Sequence, residues 1–270
     1  MHSLLNIVRE AAQTGGKAAL SVWRSGGGEE VGVGKGGDVT LRGDLAAEQA
    51  VIEFLKKRVG DFRIVAEETG EAVFGEGGLT FIVDPIDGSR NFKRGIPVFA
   101  TSVAVANGST LDHVKAAAVY APALNLELYA EEGKGLYLNG QKVSPDRDRG
   151  ERVVAVNSTP KASSLPHALA LILSAKGVIL RSLGSACLEL SLVAIGSLDA
   201  YVDPWYVTRV VDVAAAVLLA KESKTLVKME GRLNSSPLLS LDERVSLVAA
   251  ADPDTLSLVT EALEKLGLYI

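Results

Sequence analysis

Two aspartates three residues apart close a hydrophobic run in the segment FIVDPIDGSRNF, residues 81–92. Charge this dense at the end of a core strand needs a reason. Pro85 is expected to stop the strand's hydrogen-bond ladder and Gly88 to permit a tight turn. Asp84 and Asp87 would then project from one loop at the strand's C-terminal end, where open α/β sheets bind ligands. Other acidic residues occupy similar boundaries. Glu67 and Glu68 close RIVA, Asp44 opens a helical segment, and Asp212 lies inside VTRVVDVAAAVLLA among apolar neighbours. Each also has a plainer role available: Asp44 and Asp212 as helix caps, Glu67 and Glu68 as a solvated turn.

Carboxylates gathered without a counter-charge repel one another, and their pKa values rise. A hard divalent cation relieves this. Mg²⁺ takes oxygen ligands in octahedral geometry, commonly one or two carboxylates plus substrate phosphate. The chain has one cysteine, Cys187, and three scattered histidines, His2, His113 and His167. That inventory favours Mg²⁺ over Zn²⁺. In-line phosphoryl transfer suits such a site, with two metals neutralising the attacking and leaving oxygens.

The elements that must position these residues are partly visible. A helix is expected over 3–24, then a glycine-rich loop or loose hairpin over 25–40. Gly32, Gly34 and Gly37 spell a dinucleotide fingerprint there, but no strand precedes it and no helix follows at once. A helix over 44–58 would take Asp44 as its N-cap. Strands are expected at FRIVA, LTFIVD, FATSVAVAN, VKAAAVYAP and NLELYAEEG, then a hairpin with Asn139-Gly140 at its tip. The apolar-free stretch 145–152 divides the chain into an α+β half, 1–150, with most of the acidic residues, and an α/β half, 151–270, with Asp212. In the second half strands are expected at 153–157, 178–181, 199–203, 225–228 and 246–251. Helices are expected at 163–175, 186–195, 211–222 and 254–266.

At 270 residues, 47% apolar and 23% charged, the chain can build a core without disulfides. A net charge of −5 argues against a sequence-independent nucleic-acid binder. No apolar run is long enough for a membrane span and the N-terminus does not read as a signal peptide, so a cytoplasmic protein is expected.

DPIDGSRNF (84–92) resembles the signature D-P-[IL]-D-G-[ST]-x-N-[FY] of the inositol monophosphatase family. AEET (66–69) is similar to that family's G-E-E-[ST] segment, and VVDVAAAVLLAKE (210–222) to its W-D-x-A-A-[GA] motif. The three stand in order over nearly the whole chain. The resemblance implies a layered αβαβα sugar-phosphatase fold and a Mg²⁺-dependent phosphomonoesterase with two or three metals per site, Mn²⁺ being a substitute. It also implies a homodimer. Carried over by motif, the metal ligands would be Glu67, Asp84, the Ile86 carbonyl, Asp87 and Asp212. Asp44 and Ser89 would orient and deprotonate the attacking water, with Glu67 also in the catalytic set, and the Gly88 and Ser89 N–H groups would receive phosphate.

The departures are specific. Val211 stands where tryptophan is usual, Ser89 where threonine is, and ESK (222–224) replaces E-A-G-G. The segment 201–212 is two residues longer than in the animal enzymes. It looks more like the archaeal and thermophile branch, which often hydrolyses both inositol monophosphate and fructose 1,6-bisphosphate. On that resemblance Asp87, Gly184, Ser185, Asp203 and Arg209 would approach the substrate, although Arg209 has the alternative of pairing with a nearby acid. Arg90 has the choice of adding charge at the mouth or standing on the surface. A 3′-phosphoadenosine 5′-phosphate phosphatase shares the signature. A haloacid-dehalogenase-type enzyme does not, since it needs D-x-D. A non-catalytic regulatory binding protein on the same fold is the alternative of a different class.

Overall fold

The structure is a computed structural model that describes residues 3–145, 150–233 and 235–270. His2 and residues 146–149, within the expected boundary, lie outside the described residues. The chain opens with helix α1 (Leu4–Arg24), where the Ser3 hydroxyl accepts the Asn6 N–H. The glycine-rich segment forms a hairpin of two short strands, β1 (Glu30–Val33) and β2 (Val39–Leu41). Helix α2 (Arg42–Arg58) starts two residues before Asp44, so that residue is not the N-cap. Leu41 holds that position, and the Asp44 carboxylate reaches back from the first turn to accept the Leu41 N–H at 2.7 Å. The expected N-cap role is therefore not what Asp44 plays: from the third helical position it accepts the N–H of the N-cap residue itself.

Eight strands then build one sheet: β3 (Phe62–Ala66), β4 (Gly70–Phe74), β5 (Thr80–Asp87), β6 (Ala100–Ala106), β7 (Val114–Ala121), β8 (Leu126–Glu131), β9 (Gly135–Leu138) and β10 (Gln141–Lys142). Their order is β10-β9-β8-β7-β6-β5-β3-β4. Only β3 and β5 run parallel. The sequence reading missed β4, whose first residue, Gly70, makes the turn at φ +84°. Asn139 and Gly140 turn the β9–β10 hairpin with φ of +46° and +89°.

Strand β5 does not stop at Pro85. It runs through Asp87, with Asp84 opposite Ser102 and Asp87 opposite Ala100. One extra residue on β5 makes a β-bulge, which absorbs the missing proline N–H. The buried Thr101 hydroxyl donates to the Pro85 carbonyl at 2.7 Å. A five-residue helix, α3 (Ser89–Lys93), follows at once.

The second half contributes β11 (Val153–Val156), α4 (Leu165–Ser174), β12 (Ile179–Arg181), α5 (Ala186–Ala194), β13 (Ala200–Arg209), α6 (Val210–Glu222), β14 (Leu226–Gly231), β15 (Arg244–Ala250) and α7 (Pro253–Glu264). The strand order is β12-β11-β13-β15-β14. β11 is parallel to both neighbours, but β15 is antiparallel to β13 and β14, so the sheet is mixed. β13 is twice the length expected, continuing past a register shift to Arg209.

Alternation along the strands sets the layers, because successive side chains face opposite ways. Phe81, Val83, Val103 and Val105 pack with Val8, Ala12, Val51 and Leu55 of α1 and α2. Ile82, Ala104 and Ala117 face the other way, onto Leu190 of α5 and Ala214 and Val217 of α6. Those helices also cover Tyr201, Leu247 and Ala249 of the second sheet. On that sheet's far face Val154, Val202 and Val248 meet Leu169 of α4 and Val259 of α7. The architecture is therefore αβαβα, with α5 and α6 as the shared middle layer. Asp84, two residues after Ile82, inherits the face that looks into that layer.

Candidate active site

Four carboxylates arrive at one place from four elements. Ala66 pairs with Val83 across the parallel β3–β5 ladder, so Glu67 and Asp84 follow side by side. Asp44 stands in the first turn of α2, and Asp212 holds the same place in α6, accepting the Arg209 N–H at 2.8 Å. Asp44 and Asp84 are 1% and 2% exposed.

Burial with like charges nearby moves these groups in the direction expected. Asp44 is pushed up to about 8 by desolvation, with Glu67 and Glu68 adding repulsion. Burial raises Glu67 to about 7, with Arg209 opposing it and Asp212 reinforcing it. Asp84 is raised well above the carboxylate range by burial and then by Glu67 and Asp87. Asp44 Oδ1 and Asp84 Oδ1 are buried without a hydrogen-bond partner among the described residues.

Arg209 stands among these acids. Its Nη2 lies 2.6 Å from Glu67 Oε1 and 3.0 Å from Asp212 Oδ1, and its Nε donates to Asp212 at 3.1 Å. Of the two roles open to Arg209, the structure displays the pairing with acids. Desolvation would lower its pKa, but Asp212 and Glu67 more than compensate and hold it above the ordinary arginine value. Among the described residues, no group of three His, Cys, Asp or Glu side chains is arranged to hold a metal as it stands. The Arg209 guanidinium stands between Glu67 and Asp212.

Asp87 faces a different structure, the start of α5. Its carboxylate accepts the Ser185 hydroxyl at 2.6 Å, the Cys187 N–H at 2.7 Å and the Ala186 N–H at 3.1 Å. Burial raises its pKa, and the donors from Cys187 and Ser185 oppose the rise. The Ser185 hydroxyl is thus committed to Asp87. Asp203 is 1% exposed and accepts from Asn157, Tyr201 and Thr208. All three donors meet Asp203 Oδ2, while its Oδ1 is buried without a hydrogen-bond partner among the described residues. Gly184 has φ +79° and presents backbone only. The Ser89 hydroxyl donates to the Ile86 carbonyl at 2.8 Å, and Arg90 is exposed.

Supporting residues were missed in the sequence. Glu48, buried on α2, accepts the N–H groups of Glu68 and Thr69 at 2.8 and 2.7 Å and fixes the turn that carries Glu67. Its place one helical turn after Asp44 gave no sign of that, because the partner is a distant backbone. Glu189 accepts the Leu183 N–H at 2.7 Å, and Asn91 donates to the Val98 and Leu183 carbonyls. The hairpin glycines have a use unrelated to nucleotides. A Cβ on Gly34 would collide with Glu68, and one on Gly36 with Arg209.

The donor set fits a hard divalent cation: buried oxygens, that of Asp84 Oδ1 unpartnered among the described residues, with no sulfur or imidazole among them. The sequence profile of the inositol monophosphatase family matches residues 1–267. The fructose-1,6-bisphosphatase/inositol-1-monophosphatase of Thermococcus kodakarensis is 33% identical over 88% of this chain and 88% of its own. Nus factor SuhB of Escherichia coli is 30% identical, covering 84% and 85%. Among solved structures, an inositol monophosphatase–fructose 1,6-bisphosphatase superposes with a TM-score of 0.81 at 26% identity, over 97% of this chain and all of that one. The Thermotoga maritima inositol monophosphatase gives 0.72 at 27%, over 97% of each chain. The fold is that of a phosphatase family. The chain belongs to the inositol monophosphatase family.

Proposed function

We propose that the protein is a Mg²⁺-dependent phosphomonoesterase acting on small phosphorylated polyols and sugars, with inositol monophosphate and fructose 1,6-bisphosphate as its substrates. One observation carries the reading: Asp44, Glu67, Asp84 and Asp212 converge with the buried Asp44 and Asp84 oxygens unpartnered. Glu67, Asp84, the Ile86 carbonyl, Asp87 and Asp212 would hold the metals. When bound, Mg²⁺ or Mn²⁺ supplies positive charge that acidifies water and neutralises phosphoryl oxygens.

The protein's own groups do the rest. Asp44, held by the Leu41 N–H on one oxygen, turns its free oxygen to the attacking water and takes its proton; a base titrating near neutrality suits that task. Ser89, whose proton is committed to the Ile86 carbonyl, offers its lone pairs to the same water. The Gly88 and Ser89 N–H groups open α3, where first-turn donors have no partner within the helix, and receive the phosphate. Arg90 adds positive charge at the mouth. Gly184 meets the sugar hydroxyls with its backbone, over a wall that Ser185 and Asp203 hold.

The test is phosphate release from inositol 1-phosphate, fructose 1,6-bisphosphate, glucose 1-phosphate and 3′-phosphoadenosine 5′-phosphate, with Mg²⁺ and with chelator. Chelator-sensitive release from the first two supports the proposal. Turnover of the adenosine compound alone moves the substrate assignment to that class. The likeness to Nus factor SuhB favours a second reading, a regulatory binding protein on this fold. Absence of hydrolysis with either metal would shift the case to it. Sedimentation velocity tests the homodimer.

A further inference from the structure

The guanidinium of Arg209 occupies the space between two of the carboxylates assigned to metal. Mg²⁺ sits about 2.1 Å from its oxygens. Nη2 is itself 2.6 Å from Glu67 Oε1 and 3.0 Å from Asp212 Oδ1. A metal ion held by either of those oxygens would not sit beside the guanidinium without strong repulsion. Nor can Arg209 yield by losing a proton, since a guanidinium stays charged in proteins. It has to move.

The remaining contacts show where. Nη1 is buried without a hydrogen-bond partner among the described residues, and Asp38 Oδ2 lies 3.6 Å from it. Asp38 belongs to the tip of the β1–β2 hairpin and is held by Lys161 at 3.0 Å. Half of the guanidinium is therefore satisfied by the acid cluster, and the other half faces an acceptor just out of reach.

We propose that Arg209 is a resident counter-cation of the acidic site, which neutralises Glu67 and Asp212 in the metal-free protein and is displaced towards Asp38 when a divalent cation binds. Metal affinity is then set by a competition within the chain and is weaker than the carboxylates alone would give. The proposal rests on the assignment of Glu67 and Asp212 as metal ligands.

The experiment has two arms on the full chain. Mn²⁺ binding is measured by electron paramagnetic resonance for the natural protein and for Arg209→Met, without substrate. Separately, the Arg209 Nε–H of the natural protein is followed by ¹⁵N NMR as Mg²⁺ is added. The expected results are Mn²⁺ binding about tenfold tighter or more in Arg209→Met, roughly 1.4 kcal/mol, and loss at saturating Mg²⁺ of the slowly exchanging, ion-paired Nε–H signal. Unchanged or weaker Mn²⁺ binding by a folded Arg209→Met overturns the proposal, as does an unmoved Nε–H signal. Should the variant not fold, the NMR arm decides alone. A natural protein that binds no Mn²⁺ overturns the ligand assignment as well. One that binds Mn²⁺ and hydrolyses phosphate monoesters with Arg209 in place overturns only the displacement.

Discussion

Asp44 and Asp212 occupy the same position in two different helices, each turning one carboxylate oxygen back onto the backbone N–H three residues earlier, at Leu41 and at Arg209. The contact anchors each helix start and fixes the side chain, so that the second oxygen points in a set direction. In Asp44 that second oxygen is unpartnered; in Asp212 it meets Arg209. Capping by one oxygen leaves the other for the chemistry proposed above.

Replacing Asp212 or Asp87 by asparagine is expected to lower Mg²⁺-dependent turnover by orders of magnitude while the fold persists. Asp87→Asn also loses part of the three-donor cap on α5, a cost of about 1 kcal/mol. Phosphate release and thermal unfolding measured together separate the two effects. Undiminished activity in either variant removes that residue from the site.

Without metal, stability should fall as pH rises from about 4 to about 8. Asp44 at about 8 and Glu67 at about 7 bind protons in the folded state that the unfolded chain, with ordinary carboxylates, has already released. Stability changes with pH as the protons bound unfolded minus those bound folded, which is negative across that window. The stabilisation is complete below the unfolded pKa and is lost as pH passes the folded one. Mg²⁺ should flatten the slope. Chemical denaturation at several pH values, with Mg²⁺ and with chelator, checks this; a metal-free slope of opposite sign contradicts it.

Glu48→Gln should weaken metal binding. Its two oxygens accept the Glu68 and Thr69 N–H groups, and an amide nitrogen in place of one oxygen sets donor against donor. One unsatisfied buried donor costs about 1–3 kcal/mol. The expected signature is a raised Mg²⁺ requirement, with near-normal turnover once metal saturates; an unchanged requirement counts against a positioning role.

Gly88→Ala should destabilise the protein by about 1–3 kcal/mol, since its φ of +96° disfavours any side chain and a Cβ would lie 2.9 Å from the Val98 carbonyl. The same shift moves the Ser89 hydroxyl, so activity should fall together with the unfolding temperature. A variant as stable and active as the parent would show that the turn tolerates a side chain.

What the sequence revealed was local in origin. Helix starts at 3 and near 44, the Asn139-Gly140 turn and the acidic ends of two strands all follow from neighbouring residues. The resemblance of residues 84–92 then joined the acids into one site. What stayed hidden depends on partners far along the chain. The β5 bulge needs Thr101, the turn at Glu67 needs Glu48, and the Asp87 carboxylate needs a helix a hundred residues later. Arg209 could be read towards substrate or towards an acid, and only the packing of α6 against β5 displays the pairing.

The middle layer also dictates an order of events during synthesis. Asp212 and the apolar face of α6 are made after all eight strands of the first sheet. Until residues 210–222 emerge, one face of that sheet is covered only in part, by α5, and its acidic set lacks a member. A nascent or truncated chain that lacks residues 210–222 therefore holds an incomplete acidic set. The last of the four converging acids doubles as a check that the rest is in place.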